Sequence, residues 1–203
     1  MEELELNALT FEPIIGETYE YDFEFKTLML NIYNCYLYLL QKNRTVPHNN
    51  ENAIRDILLE YLTDTQVRQN SCLIEGYRFD KEVDENEGRV DIKIIDKNDF
   101  EEHDAYYVIE CKRLDGYSTL NKAYITDGIN RFTTGYYSSY YGINGMIGFI
   151  VKKININTNT NMNKIGDFFE MIEKDKLYKS IHDNLKLYHL MLNFAKNSDK
   201  PKG

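Results

Sequence analysis

The chain has no tryptophan, and only three cysteines and three prolines among its 203 residues. No apolar stretch approaches the ~20 residues of a membrane-spanning helix. Cys35, Cys72 and Cys111 form no CxxC pair and no ligand-like cluster with histidine. Their odd count and apolar neighbours predict reduced, buried thiols in a cytosolic protein. The acidic start, MEELELNALTFEP, lacks a secretory pattern, so a cytoplasmic location without membrane contact is expected. Internal repeats are absent.

Positive charge is also scarce. Lys and Arg number 24 against 33 Asp and Glu, a net charge of −9. That balance argues against a free, nonspecific nucleic-acid binder, because phosphate contacts dominate such affinity. The charge is unevenly spread. Residues 1–151 carry 14 Lys and Arg against 27 Asp and Glu, whereas residues 152–203 carry 10 against 6. The carboxy-terminal part could supply phosphate contacts, or its lysines form an ordinary solvated surface. The length predicts a single domain, 1–203, able to bury about 70% of its unfolded surface.

What the chain does have is a set of strongly patterned segments. Residues 1–23 read as irregular or a short strand, because Pro13 and Gly16 break periodicity. Glu24–Lys42 reads as a helix with an apolar stripe of Leu28, Ile32, Tyr36, Leu39 and Leu40. Asn49–Thr63 reads as a second helix, capped by Asn49 or Asn50, with Glu51 in its first turn. Gly76–Val83 and Arg89–Asp96 read as strands joined by a hairpin around Asn86, Glu87 and Gly88. Tyr107–Arg113 and Gly145–Val151 read as buried strands, and Asn121–Ser139 as a helix between them. Gly128 allows that helix a close approach to its neighbour. Tyr136, Tyr137, Tyr140 and Tyr141 cluster at its end, for packing or for stacking on bases.

Lys152–Asn163 reads as a basic, Asn-rich loop and Lys164–Lys174 as a helix. In Asn184–Ala195, Leu187, Leu190, Met191 and Phe194 fit a helix, while Leu185, Leu187, His189 and Met191 fit the favoured strand. His182 and His189 read as structural residues. The tail 197–203 reads as disordered.

The informative residues interrupt the apolar strands. Asp91 lies within GRVDIKIID, and Glu110 and Lys112 lie within YVIECKR. Residues two apart on a strand share a face. Glu110 and Lys112 therefore project together, with Ile109 and Cys111 on the opposite side. Asp91 and Lys93 likewise face away from Val90, Ile92 and Ile94. Two carboxylates on one rim suit a hard divalent cation, and a neighbouring lysine can orient water and offset phosphate charge. Burying these charges unpaired would be costly. The plain alternative is a solvated sheet face.

Asp91 followed by Glu110-x-Lys112 resembles the PD-(D/E)XK nuclease superfamily. So does the order helix, three strands, helix, strand over residues 49–152. The proline of the family name is replaced by Val90. The resemblance implies an α/β fold: a central mixed β-sheet flanked by helices, with a restriction-endonuclease-like core. It implies Mg²⁺, with Mn²⁺ able to substitute, held by Asp91, Glu110, Glu51 and the backbone carbonyl of Cys111. It assigns catalysis to Asp91, Glu110, Lys112 and Glu51. Arg131 would hold the scissile phosphate or, in the plain reading, pair with Asp127. Tyr124, Lys152 and Lys153 complete the candidate substrate contacts. DNA is the implied substrate, with RNA left open. The implied activity is a hydrolase, an endonuclease rather than an exonuclease, in restriction or antiviral (anti-phage) defence. A homodimer or a partner subunit would accompany it. The alternative is a non-catalytic module of the same fold that binds a protein or nucleic acid.

Overall fold

The computed structural model describes residues 15–85, 88–99, 101, 105–137, 140–156 and 169–199. Helix α1 spans Ile15–Gln41 and α2 spans Glu51–Thr63. A one-turn α3, Thr65–Val67, runs into a π-helical turn at Arg68–Cys72. Strands β1 (Tyr77–Glu85), β2 (Gly88–Asp96) and β3 (Tyr107–Leu114) follow. A helical run comes next: α4 (Ser118–Ala123), a π-helical turn (Tyr124–Ile129) and α5 (Asn130–Thr133). Strands β4 (Ile143–Ile150), β5 (Glu170–Glu173), β6 (Leu177–His182) and β7 (Leu185–Asn193) close the order.

The strands form one seven-stranded sheet in the order β1-β2-β3-β4-β7-β6-β5. The pairs β3–β4 and β4–β7 are parallel, and the remaining pairs are antiparallel. This is an α/β protein with a mixed sheet flanked by helices. The central strand β4 is buried at every position, as expected for a parallel strand covered on both faces. On one face, Phe25, Leu28, Met29 and Ile32 of α1 and Ile54, Leu58 and Leu62 of α2 pack on Ile92, Ile109, Cys111 and Ile147. On the other, Tyr124, Ile129 and Phe132 of the helical run pack on Val108, Leu114, Met146 and Met191.

Local signals explain much of this. Asn50 caps α2 by accepting from the Ala53 N–H at 3.0 Å. The β1–β2 hairpin closes at Glu85↔Gly88, with Asn86 and Glu87 outside the described residues. Leu185–Asn193 is a strand, since alternation there meets neighbours on both edges.

Several expectations are corrected. The first helix begins at Ile15, not Glu24: upstream of Glu24, Tyr21 packs on Tyr141, and Asp22 pairs with Lys186 and accepts from the Tyr188 hydroxyl; residues 1–14 lie outside the described set. The helix expected over Lys164–Lys174 is not formed in its described part. Glu170–Glu173 is an edge strand whose backbone pairs with β6, and 157–168 lie outside the described residues. Asn197–Asp199 are ordered. Ser198 bridges to Val46, and Ser198 Oγ donates to the Val151 carbonyl at 3.1 Å; residues 200–203 are outside the described set. Cys35 and Cys72 are joined in a disulfide rather than held as thiols, because α1 and the Arg68–Cys72 turn place them side by side in the core.

Candidate functional site

Strand β3 sets the centre of the site. Alternation sends Cys111 into the α1–α2 core, where burial pushes its thiol well above the ordinary value. The same alternation sends Glu110 and Lys112 to the face beneath the helical run. Glu110 is fully buried. Its Oε1 accepts from Lys112 Nζ at 2.5 Å and from Arg131 Nη1 at 2.9 Å, and its Oε2 accepts from the Tyr137 hydroxyl at 2.8 Å. Burial first, and the charge of Asp91 second, push the Glu110 carboxyl up to about 7, despite the offsetting pull of Lys112 and Arg131. For Lys112 burial works downward, but the charges of Glu110 and Glu51 outweigh it and hold the ammonium above its usual value.

Asp91 sits where β2 leaves β3. The ladder between these strands runs from Ile94↔Tyr107 to Ile92↔Ile109. Beyond it the Cys111 N–H donates to Asp91 Oδ2 at 2.8 Å, so a side chain replaces the backbone acceptor. That departure also carries Val90 to the opposite cluster from Ile92 and Ile94, although alternation would group all three. Asp91 Oδ1 accepts from Arg55 Nη1 at 2.9 Å.

Helix α2 supplies Glu51 and Arg55 one turn apart on the same face. Glu51 Oε2 accepts from the Arg113 N–H at 2.7 Å, and its Oε1 lies 3.5 Å from Lys112 Nζ. The capping by Asn50 fixes where this helix begins and hence where Glu51 projects. Arg55 is 1% exposed and also binds Asp56 at 3.0 Å and Glu82 at 2.8 Å. Burial alone would lower its pKa, but hydrogen bonds to Glu82 and Asp56 and the charge of Asp91 raise it.

The helical run is held close by Gly128. A Cβ there would lie 2.5 Å from Met146 Cε and 3.4 Å from Lys112 Cγ. Arg131 follows within one turn and bonds Glu110 and, at 2.6 Å, the Tyr137 hydroxyl, rather than serving as a surface partner of Asp127. The Tyr137 hydroxyl also lies 2.9 Å from the Arg89 carbonyl, so its single proton serves either that carbonyl or Glu110 Oε2.

The site therefore brings together Asp91, Glu110, Lys112, Glu51 and Arg131. Tyr124, expected on the substrate side, is fully buried, and its hydroxyl bonds His189 Nδ1 at 3.0 Å. Lys152 lies over the Tyr117 ring at 5.0 Å, in the segment following β4, and Lys153 is exposed beside it. Sequence reasoning missed Arg55 and Tyr137. The signal for Arg55 was a cation inside the apolar stripe Ile54–Leu58–Leu62. Tyr137 lay in a tyrosine cluster with nothing to single it out.

Among the described residues no three His, Cys, Asp or Glu side chains are grouped as metal ligands. Two carboxylates and a carbonyl instead surround an ammonium. Lys112 Nζ lies near Glu110 Oε1 and Glu51 Oε1, and donates to the Cys111 carbonyl at 3.0 Å. These are hard oxygen donors of the kind magnesium takes, already gathered around a cation. As described, the Lys112 ammonium occupies the space between these donors, and Asp91 is engaged by Arg55 and the Cys111 N–H. No helix among the described residues is long and apolar enough to cross a membrane. No protein-family model, curated protein or solved structure matches the chain.

Proposed function

We propose that the chain is a metal-dependent phosphodiesterase, a nuclease with a restriction-endonuclease-like PD-(D/E)XK core, acting on DNA. One observation carries the reading. A fully buried glutamate, Glu110, shares the face of a central strand with Lys112, while Asp91 and Glu51 arrive from separate elements. Folding alone has no need for a fully buried carboxylate on this face, since burying an ion costs more than packing an apolar group.

Each residue has a role in this scheme. Glu110, Asp91, Glu51 and the Cys111 carbonyl would hold Mg²⁺ or Mn²⁺. Such an ion supplies Lewis acidity toward a phosphoryl oxygen and lowers the pKa of a bound water. Lys112 orients the attacking water and offsets charge on the phosphorane-like transition state. Arg131 offers a forked contact to a phosphate. Arg55 holds the Asp91 carboxylate in place, and Tyr137 does the same for Glu110. Lys152 and Lys153 would follow a phosphate backbone. Action in antiviral defence and a dimer or partner subunit belong to the same proposal, whereas the cytoplasmic location expected from reduced thiols loses that support with the Cys35–Cys72 disulfide.

The test is cleavage of plasmid DNA by the purified chain with Mg²⁺ or Mn²⁺. Asp91→Ala, Glu110→Ala and Lys112→Ala should each lower the rate by at least about 100-fold. Equal rates in variants and wild type would overturn the reading, and cleavage of RNA alone would reassign the substrate. The competing reading is a non-catalytic module. It is favoured by the pairing of every site carboxylate with a protein cation or N–H. It predicts that no divalent ion binds in calorimetry, with wild type and Asp91→Ala alike.

A further inference from the structure

Helix α1 is apolar on two faces, and the sheet covers only one of them. Phe25, Leu28, Met29, Ile32 and Leu39 lie in the core beneath the helix. On the opposite side Phe23 is 66% exposed and Leu37 40%, with the half-buried Leu30 midway between them. These three are spaced seven residues apart, so they line one stripe, with Thr27, Asn34 and Gln41 along its edge. No charged residue occurs from Thr27 to Gln41. A helix that turns one face to water ordinarily carries charge along that face.

Leu73 extends the stripe. It is 70% exposed and held at φ 55°, ψ 42°, a left-handed conformation that strains a leucine. The Cys35–Cys72 disulfide and the bond from Asn31 Nδ2 to its carbonyl, at 2.9 Å, keep it beside the middle of α1. We propose that this outer face of α1 is a self-association surface. Its occupant is α1 of a second copy of the chain, packed antiparallel about a two-fold axis at Leu30.

Register and charge select that occupant. With the axis at Leu30, Phe23 of each copy meets the partner's Leu37, and the two Leu73 side chains flank the axis together. The patch is therefore complementary to itself, as a two-fold interface requires. Charge sets the direction. Glu20, Asp22 and Glu24 lie in the amino-terminal part of α1, whereas Lys42 and Arg44 follow its carboxy-terminal end. Antiparallel packing brings the exposed Glu20 to the partner's exposed Lys42 on the same flank and sets the helix dipoles head to tail. Parallel packing would stack like charges at both ends. The seven-residue spacing gives a shallow crossing of about 20°. From Glu20 to Gln41 the contact is ~33 Å long. It buries about 1,000 Å² in total, the lower limit for a specific interface, so the dimer is reversible. Glu110 and Lys112 lie on the other face of the sheet, which leaves the candidate site open and makes the dimer independent of the nuclease reading.

Sedimentation equilibrium of the full chain without reductant, over about 1–200 µM, tests this. Wild type should pass from monomer to dimer across that range. Phe23→Lys and Leu37→Glu should each weaken association at least about tenfold, with the melting temperature of the dilute protein unchanged. Leu73→Gly should weaken association without lowering that melting temperature, because glycine accepts the left-handed conformation. Glu20→Lys and Lys42→Glu should each weaken association roughly threefold, and the two in one chain should restore it. A wild type that stays monomeric at the highest concentration overturns the proposal, as do folded variants that associate as tightly as wild type. A double charge reversal that restores nothing overturns the antiparallel packing. Unfolding of dilute Phe23→Lys and Leu37→Glu would mean that the chain covers this face itself, which also overturns the proposal.

Discussion

Two buried side chains pull the pH dependence of stability in opposite directions. Glu110 is raised to about 7 from 4.5, by burial first and by Asp91 second. Between those values the native chain keeps a proton that the unfolded chain has lost. The contribution is complete below 4.5 and is lost as pH rises through about 7. The interval corresponds to on the order of 3 kcal/mol. His189 behaves in the opposite sense. Burial first, and His182 second, lower it from 6.5 to about 3. Its ring bonds Tyr124 and Ser180 as a neutral group. Its contribution is complete above 6.5 and is lost as pH falls toward about 3. Urea melts over this range should show wild type losing stability relative to Glu110→Gln as pH rises through neutrality. They should show His189→Gln losing less than wild type on acidification. Parallel pH profiles for wild type and either variant would remove that residue from the account.

Among the elements, β4 carries the tightest constraint, because both layers of helices lean on its glycines. A Cβ on Gly145 would lie 3.0 Å from Ile109 Cγ1, 3.1 Å from Phe25 Cζ and 3.2 Å from Met29 Cε. Gly145→Val should therefore push α1 from the sheet and cost about 1–3 kcal/mol. The proposed cleavage, at a temperature where the variant remains folded, should be retained, because Glu110 and Lys112 lie on the other face. An unchanged urea midpoint would show that α1 does not seat on β4 as described. The strands β1 to β4, the capped α2 and β7 were legible because their apolar periodicity agrees with their tertiary surroundings. Asp91, Glu110 and Lys112 stood out for the converse reason, as charges where periodicity demands apolar residues. The start of α1 and strand β5 were not legible. Their conformations depend on neighbours distant in sequence: α1 on the sheet, Glu170–Glu173 on the exposed edge of β6. Arg55 was hidden for the same reason, since its partners come from β1 and β2.

At the scale of the whole molecule, one covalent tie bears on the site. The Cys35–Cys72 disulfide links α1 to the turn that follows α2, across a sequence separation of 37. The closed loop contains α2, and with it Glu51 and Arg55. Asn31 Nδ2 reinforces the junction by donating to the Leu73 carbonyl at 2.9 Å. Closing a loop of this length restrains the unfolded chain by about 4 kcal/mol in the chain-entropy model. Reduction should therefore lower the melting temperature, and Cys35→Ala with Cys72→Ala should do so without reductant. The core around both sulfurs is otherwise apolar, so the reduced chain should still fold, with α2 less firmly held. Thiol titration in denaturant gives a direct count: one reactive thiol, Cys111, before reduction and three after it. Three before reduction would show that the tie is not formed, and the melting temperature should then be indifferent to reductant. If the tie is formed and restrains α2, and the proposed metal site exists, reductant should weaken Mn²⁺ binding in wild type. Glu51→Gln, which lacks the carboxylate charge that α2 delivers, should be far less sensitive to reductant.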